Sequence, residues 1–98
     1  MRVAIPHAID RDEAKRRFEE RIHEVVDHIP GGNATIATSW PDTYLMDMVL
    51  HVLGQEIHGH LDIQPAEVII VFDLPPGLGF VERMVSGMIR DKGTKLLA

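Results

Sequence analysis

Gln55-Glu56-Ile57-His58-Gly59-His60-Leu61-Asp62-Ile63 alternates cleanly, with Ile57, Gly59, Leu61 and Ile63 on one side and Glu56, His58, His60 and Asp62 on the other. A period of two over nine residues marks a β-strand with one face toward a core. Gly54 stands before it, and Gly54-Gln55 fits a two-residue hairpin whose first turn position demands a positive φ. The preceding stretch, Thr43 to Leu53, carries its own alternating apolar set at Tyr44, Met46, Met48, Leu50 and Val52. After the strand, Gln64-Pro65-Ala66 is a turn, and Glu67 to Asp73 is a nearly continuous apolar strand ending Phe72-Asp73-Leu74-Pro75-Pro76-Gly77. A helix then begins near Leu78, with Leu78, Val81, Met84, Val85, Met88 and Ile89 as its apolar stripe. Arg90 and Lys92 suit its negative end, and Gly93 reads as its cap. Gly87, unfavourable inside a helix by about 1 kcal/mol, is expected to mark a close approach to the sheet or to the first helix.

Upstream, Val3 to Ile5 is a short strand stopped by Pro6, and Asp10 opens a helix running to about His28. Asp10 and Glu13 stand in capping-box spacing, and Asp12 and Glu13 suit the positive end of the helix dipole. Ala14, Phe18, Ile22, Val25, Val26 and Ile29 share one face, while Glu13–Arg17 and Arg16–Glu20 are spaced as ion pairs on the other. Pro30-Gly31-Gly32 ends this helix. Ala34 to Trp40 is the second strand, with Trp40 as a core anchor and Pro41-Asp42 as a turn. The order β-α-β-β-β-β-α, with two single-striped helices and one strongly apolar sheet face, gives an α+β fold. It is a two-layer sandwich in which both helices cover one face of a mostly antiparallel sheet of about five strands. The first strand can pair either as a parallel neighbour or at an edge.

At 98 residues the chain forms a single α+β domain spanning residues 1–98. Its net charge of −5 gives no electrostatic footprint for nucleic acid, because Lys15-Arg16-Arg17 is interleaved with acids. With no cysteine, disulfides and thiolate metal sites are excluded, which fits a reducing compartment. No stretch resembles a signal peptide or a transmembrane segment, so a cytoplasmic protein is expected.

The uncovered sheet face is where function is sought. Pairing Leu53 with Glu56 places His51 opposite His58, Val49 opposite His60 and Asp47 opposite Asp62. Pairing Ile63 with Val68 brings Ile69 and Val71 onto the same face, Val71 beside His60. The expected interaction surface is therefore Leu45, Val49, His51, His58, His60, Ile69 and Val71, with Leu53 at its rim. That mixture is too apolar for an ordinary solvated face and too polar for a core, which marks an interface. His51, His58 and His60 with Asp47 or Asp62 offer the ligand types zinc accepts, although alternate residues of any strand share a face. No catalytic set is assigned and no cofactor is implied. Gly77-Leu78-Gly79 lacks both a dinucleotide fingerprint and a phosphate-loop lysine. The reading is a non-enzymatic module that binds a second copy of the chain as a homodimer, or another partner. The alternative is a small enzyme or metal-binding protein using the histidine face. Protonation below about pH 6 is expected to weaken a dimer by bringing like charges together at a His51–His58 pair.

Several short segments resemble a known family. Ile5-Pro6-His7 leads into an Asp-Arg-x-Glu-Ala helix, followed by Ser39-Trp40 and Gly54-Gln55-x-Ile57-x-Gly59-x-Leu61. Asp73-Leu74-Pro75 and Ile89-Arg90-x-Lys92-Gly93-x-Lys95 complete the pattern. Together they are similar to the small polyhydroxyalkanoic acid system proteins, the polyhydroxyalkanoate granule-region family, over nearly the whole chain. The resemblance implies a bacterial protein associated with polyhydroxyalkanoate storage, with the granule polymer or a granule protein as partner. It implies no enzymatic activity and brings no catalytic residues.

Overall fold

The computed structural model describes residues 1–27, 34–52, 54–74, 77 and 79–98, the side chain of residue 81 excepted. Five strands and two helices follow in the expected order: β1 (Arg2–Pro6), α1 (Arg11–Asp27), β2 (Thr35–Asp42), β3 (Leu45–Val52), β4 (Gln55–Ile63), β5 (Glu67–Asp73) and α2 (Gly79–Leu97). They form an α+β fold on one open antiparallel sheet ordered β1-β5-β4-β3-β2. The pairing of the first strand is thereby decided. β1 is an antiparallel edge strand, Val3 facing Ile70 and Ile5 facing Val68.

Period-two patterning divides every strand between two environments. Met46, Met48, Leu50 and Val52 of β3, Ile57, Leu61 and Ile63 of β4, and Val68, Ile70 and Phe72 of β5 are all buried. Phe18, Ile22 and Val26 of α1 and Val85, Ile89, Leu96 and Leu97 of α2 close over them. A small apolar cavity of about 30 Å³ is lined by α1, α2 and the inner faces of β3, β4 and β5, so both helices cover the same side of the sheet. Trp40 packs half-buried against the edge of this core, with the Lys15 ammonium 4.7 Å from its ring centroid.

α1 starts where the capping residue places it. The Asp10 carboxylate accepts from the Asp12 N–H at 2.9 Å. Glu13 is engaged by Arg16 and Arg17, and Arg16 also binds Glu20 at 2.9 Å. The end assigned to this helix at His28, and the Pro30-Gly31-Gly32 stop, lie outside the described residues.

Four details differ from the expectations. Pro41-Asp42 is part of β2, not a turn: a bulge between Ser39 and Asp42 absorbs an extra residue. An edge strand tolerates a proline there because its missing N–H need not cost a ladder bond. The β3–β4 ladder closes on Val52 and Gln55 and not on Leu53 and Glu56, which displaces every cross-strand partner by two residues, with Gly54 at φ 73°. Gly93 does not cap α2, which runs four residues further to bury Leu96 and Leu97. A Cβ at Gly93 would collide with Cδ1 of Ile5, so the glycine lets β1 approach the helix. Gly87, in contrast, has nothing among the described residues outside its own helix backbone within 4 Å of where a Cβ would stand, so none of the described elements makes the expected close approach.

Candidate functional site

The sheet's other face is the candidate site, since among the described residues no element lies over it. Each outward residue is exposed or half-buried. Leu45, Val49, Ile69 and Val71 are half-buried, whereas His51, His58 and His60 are exposed. All seven residues assigned to the surface thus lie on it. Leu53 lies outside the described residues.

Because the ladder is displaced by two, an even number, each residue keeps its face while its partner changes. The expected His51–His58 pair does not form. His51 stands opposite Glu56, His60 opposite Asp47 and His58 opposite Asp73. Each outward histidine is therefore matched across strands with a carboxylate. This register avoids a like-charge pair, whereas the expected one would have set Asp47 against Asp62. Val71 sits beside His60 as expected. Glu56 also reaches along its own strand, with Oε1 2.8 Å from His58 Nε2.

One row crosses all five strands: Arg2, Val71, His60, Asp47 and Ser39. The next contains Asp73, His58, Val49 and Ala37. Between these rows lies an open depression of about 440 Å³, bordered by Ser39, Asp47, Val49, His58, His60 and Asp73. Its chemistry is that of hydrogen-bond donors and acceptors on a partly apolar floor. Ser39, Asp47 and His60 are successive neighbours, but the carboxylate stands in the middle. A Ser-His-Asp relay needs the imidazole there. Among the described residues no group of three or more histidine and acidic side chains is placed to hold a metal ion, so His51, His58 and His60 are not assembled as a ligand set.

A second feature escaped sequence reasoning. Among the described residues, Phe80 and Met84 of α2 are the exposed large apolar side chains, 56% and 41% accessible. The sequence assigns Met84 to the buried stripe. In the fold Val85 and Ile89 face inward, and Met84 turns out with Phe80. An apolar residue lying off the stripe, as Phe80 does, was the available signal.

His7 was legible only as part of a resemblance. Its Nδ1 lies 3.0 Å from the Ile9 carbonyl oxygen and its Nε2 2.9 Å from that of Gln64. Its backbone N–H donates to the Ala66 carbonyl at 2.9 Å. Arg11 Nε donates to the Ile63 carbonyl at 2.7 Å, its guanidinium lies over the Tyr44 ring, and Tyr44 donates to Asp12 at 2.5 Å. These groups fasten the start of α1 to the β4–β5 turn and to the β2–β3 turn. They are structural in position, away from the depression.

Comparison with models of protein families, with curated proteins and with solved structures finds no match to this chain. Among the described residues no helix is long and apolar enough to cross a membrane.

Proposed function

We propose that the chain is a non-catalytic interaction module that docks a partner on its uncovered sheet face. The observation that carries this reading is the composition of that face. Leu45, Val49, Ile69 and Val71 form a half-buried apolar floor under three exposed histidine–carboxylate pairs, with no described element above it. Apolar area gives a partner its binding energy, at about 25 cal/mol per Å² removed from water, and the polar pairs give it register. The resemblance to polyhydroxyalkanoic acid system proteins supports a granule protein or the polyester surface as the partner, in a bacterial cytoplasm. A second copy of the chain is the other occupant this surface admits.

Val49→Lys and Val71→Lys test the proposal, each placing a cation in the floor without touching the buried side. Cosedimentation with polyhydroxyalkanoate particles should fall in both variants while their far-UV circular dichroism matches wild type. Undiminished cosedimentation would remove the sheet face as the docking surface.

The histidine-lined depression favours one alternative, a small hydrolase or isomerase using imidazole–carboxylate pairs for proton transfer. Replacing His51, His58 and His60 together with glutamine distinguishes it. A module keeps its partner binding within a few fold, while an enzyme loses turnover.

A further inference from the structure

We propose that the outward face of α2 is a self-recognition surface on which two copies of this chain pack antiparallel, crossing at Gly87. At 3.6 residues per turn, Phe80, Arg83, Met84, Gly87, Arg90 and Asp91 fall within one stripe about 120° wide. Every one of them is exposed. The stripe holds both large apolar side chains that are exposed among the described residues, and it belongs to the layer opposite the uncovered sheet face.

Gly87 supplies the first reason for a second chain. Glycine is the poorest helix former after proline, so a glycine in a helix interior is expected where backbones must approach. Among the described residues nothing outside its own helix backbone lies within 4 Å of where its Cβ would stand. A partner helix crossing there would use the vacant space.

Charge supplies the second reason and selects the partner. In a two-fold antiparallel pair centred on Gly87, a residue a given number of positions before it faces the residue the same number after it in the other copy. Arg83 is four before and Asp91 four after, so each Arg83 meets Asp91 of the partner subunit, twice by symmetry. Met84, three before, lies against the aliphatic stem of Arg90, three after; Phe80 faces Thr94. A parallel pairing would set Arg83 against Arg83 and Asp91 against Asp91, which opposes it. Within one chain Asp91 holds only the exposed contact to Lys95 at 3.4 Å among the hydrogen bonds seen, readily exchanged for a guanidinium. A single helix pair belongs at the small end of specific interfaces, below about 1,200 Å² in total, so the association is reversible and concentration-dependent.

Sedimentation velocity over a concentration series tests this with charge reversal. Wild type should show a rising sedimentation coefficient, and Arg83→Asp or Asp91→Arg should each weaken association by about ten-fold or more. An equimolar mixture of these two variants should associate again, because each copy then offers the charge the other lacks; the double variant should do the same alone. Gly87→Leu should block the crossing while keeping the helix, as far-UV circular dichroism would show. Val49→Lys and Val71→Lys should leave this association unchanged, which separates it from docking on the sheet. A monomer at every concentration, single reversals without effect, or a mixture that fails to associate would each overturn the proposal.

Discussion

Gly59→Ala should destabilise this protein although alanine suits most positions better than glycine. Gly59 points to the helix side of β4, directly opposite Phe72 of β5. A Cβ placed there would stand 2.5 Å from Cδ1 of Phe72, 2.9 Å from its Cε1 and 2.5 Å from the Val71 carbonyl oxygen. Overpacking a core site costs about 1–3 kcal/mol. The upper half of that range applies, because one obstacle is backbone in the β4–β5 ladder and the other is a ring only 4% exposed. Alanine recovers about 0.4–1 kcal/mol by narrowing the unfolded ensemble. The net loss is about 2 kcal/mol. For a domain of this size that lowers the melting temperature by roughly 8–16 °C. Thermal and urea unfolding followed by far-UV circular dichroism measure it, with Gly87→Ala as the internal contrast. Within one chain that change meets nothing outside its own helix backbone among the described residues, so at concentrations where the protein is monomeric it should raise stability by up to about 1 kcal/mol. Adding Phe72→Leu to Gly59→Ala should give a coupling of about 0.5 kcal/mol or more, since the ring is part of the obstruction. An unchanged or raised melting temperature in Gly59→Ala would refute the reasoning, because it would mean that neither ring nor carbonyl lies where a side chain must go.

Three further outcomes follow from the corner that fastens α1. His7→Ala should cost about 1–3 kcal/mol in urea unfolding, because the ring N–H that one tautomer gives to the Ile9 carbonyl and the other to the Gln64 carbonyl is lost. The single tyrosine makes phenolate absorbance a direct reading of Tyr44. Its hydrogen bond to Asp12, with partial burial, holds it above its ordinary 10.0, and Asp12→Ala should bring it back down. The associated stability is fully present below the ordinary value and is lost as pH rises through the folded one. Hydrogen bonds from Arg16 and then Arg17 pull the Glu13 carboxyl from 4.5 to about 2, so its contribution is present above about pH 4.5 and disappears as pH falls toward 2. Glu13→Gln should therefore be less stable than wild type at neutral pH, and the difference should shrink as pH falls through about 2.

The faces of the sheet were legible because they depend on parity alone. β3 and β4 alternate so regularly that displacing the hairpin by two residues moves no side chain from one face to the other. The partners were less legible, because the turn can place Gly54 first or second and both positions accept a positive φ. α1 was plain from its capping aspartate and its three- and four-residue apolar spacing. α2 was harder. Arg90, Lys92 and Gly93 together imitate a helix end, yet the glycine is there for Ile5, a residue almost ninety positions away. Met84 and Val85 are adjacent and both apolar, so only the angle at which the helix lies on the sheet decides which is buried. The role of His7 was equally hidden, since its two carbonyl partners belong to separate turns.

The corrected hairpin register also changes the physics of the candidate surface. Two histidines facing one another would have made acidification repulsive. With His51 opposite Glu56, His60 opposite Asp47 and His58 opposite Asp73, each histidine faces a carboxylate instead, so the like-charge repulsion expected of a His51–His58 pair loses its geometric basis. The pairs are exposed, so each contributes at most about 1 kcal/mol and salt weakens it further. Their effect on docking depends on what covers them. A partner that excludes water from the surface strengthens a charged pair that is hydrogen-bonded and penalises a lone charge. A partner bound at neutral pH therefore has to offer donors to Glu56, Asp47 and Asp73 or leave them wet at the rim of the depression. An apolar polymer surface offers no such donors, whereas a protein surface carrying lysine or arginine does. On this electrostatic ground, the sheet face favours a basic protein partner over bare polyester. Binding to such a partner should weaken steeply with added salt, while adsorption to polymer should not, and a salt-insensitive association with a basic granule protein would contradict it.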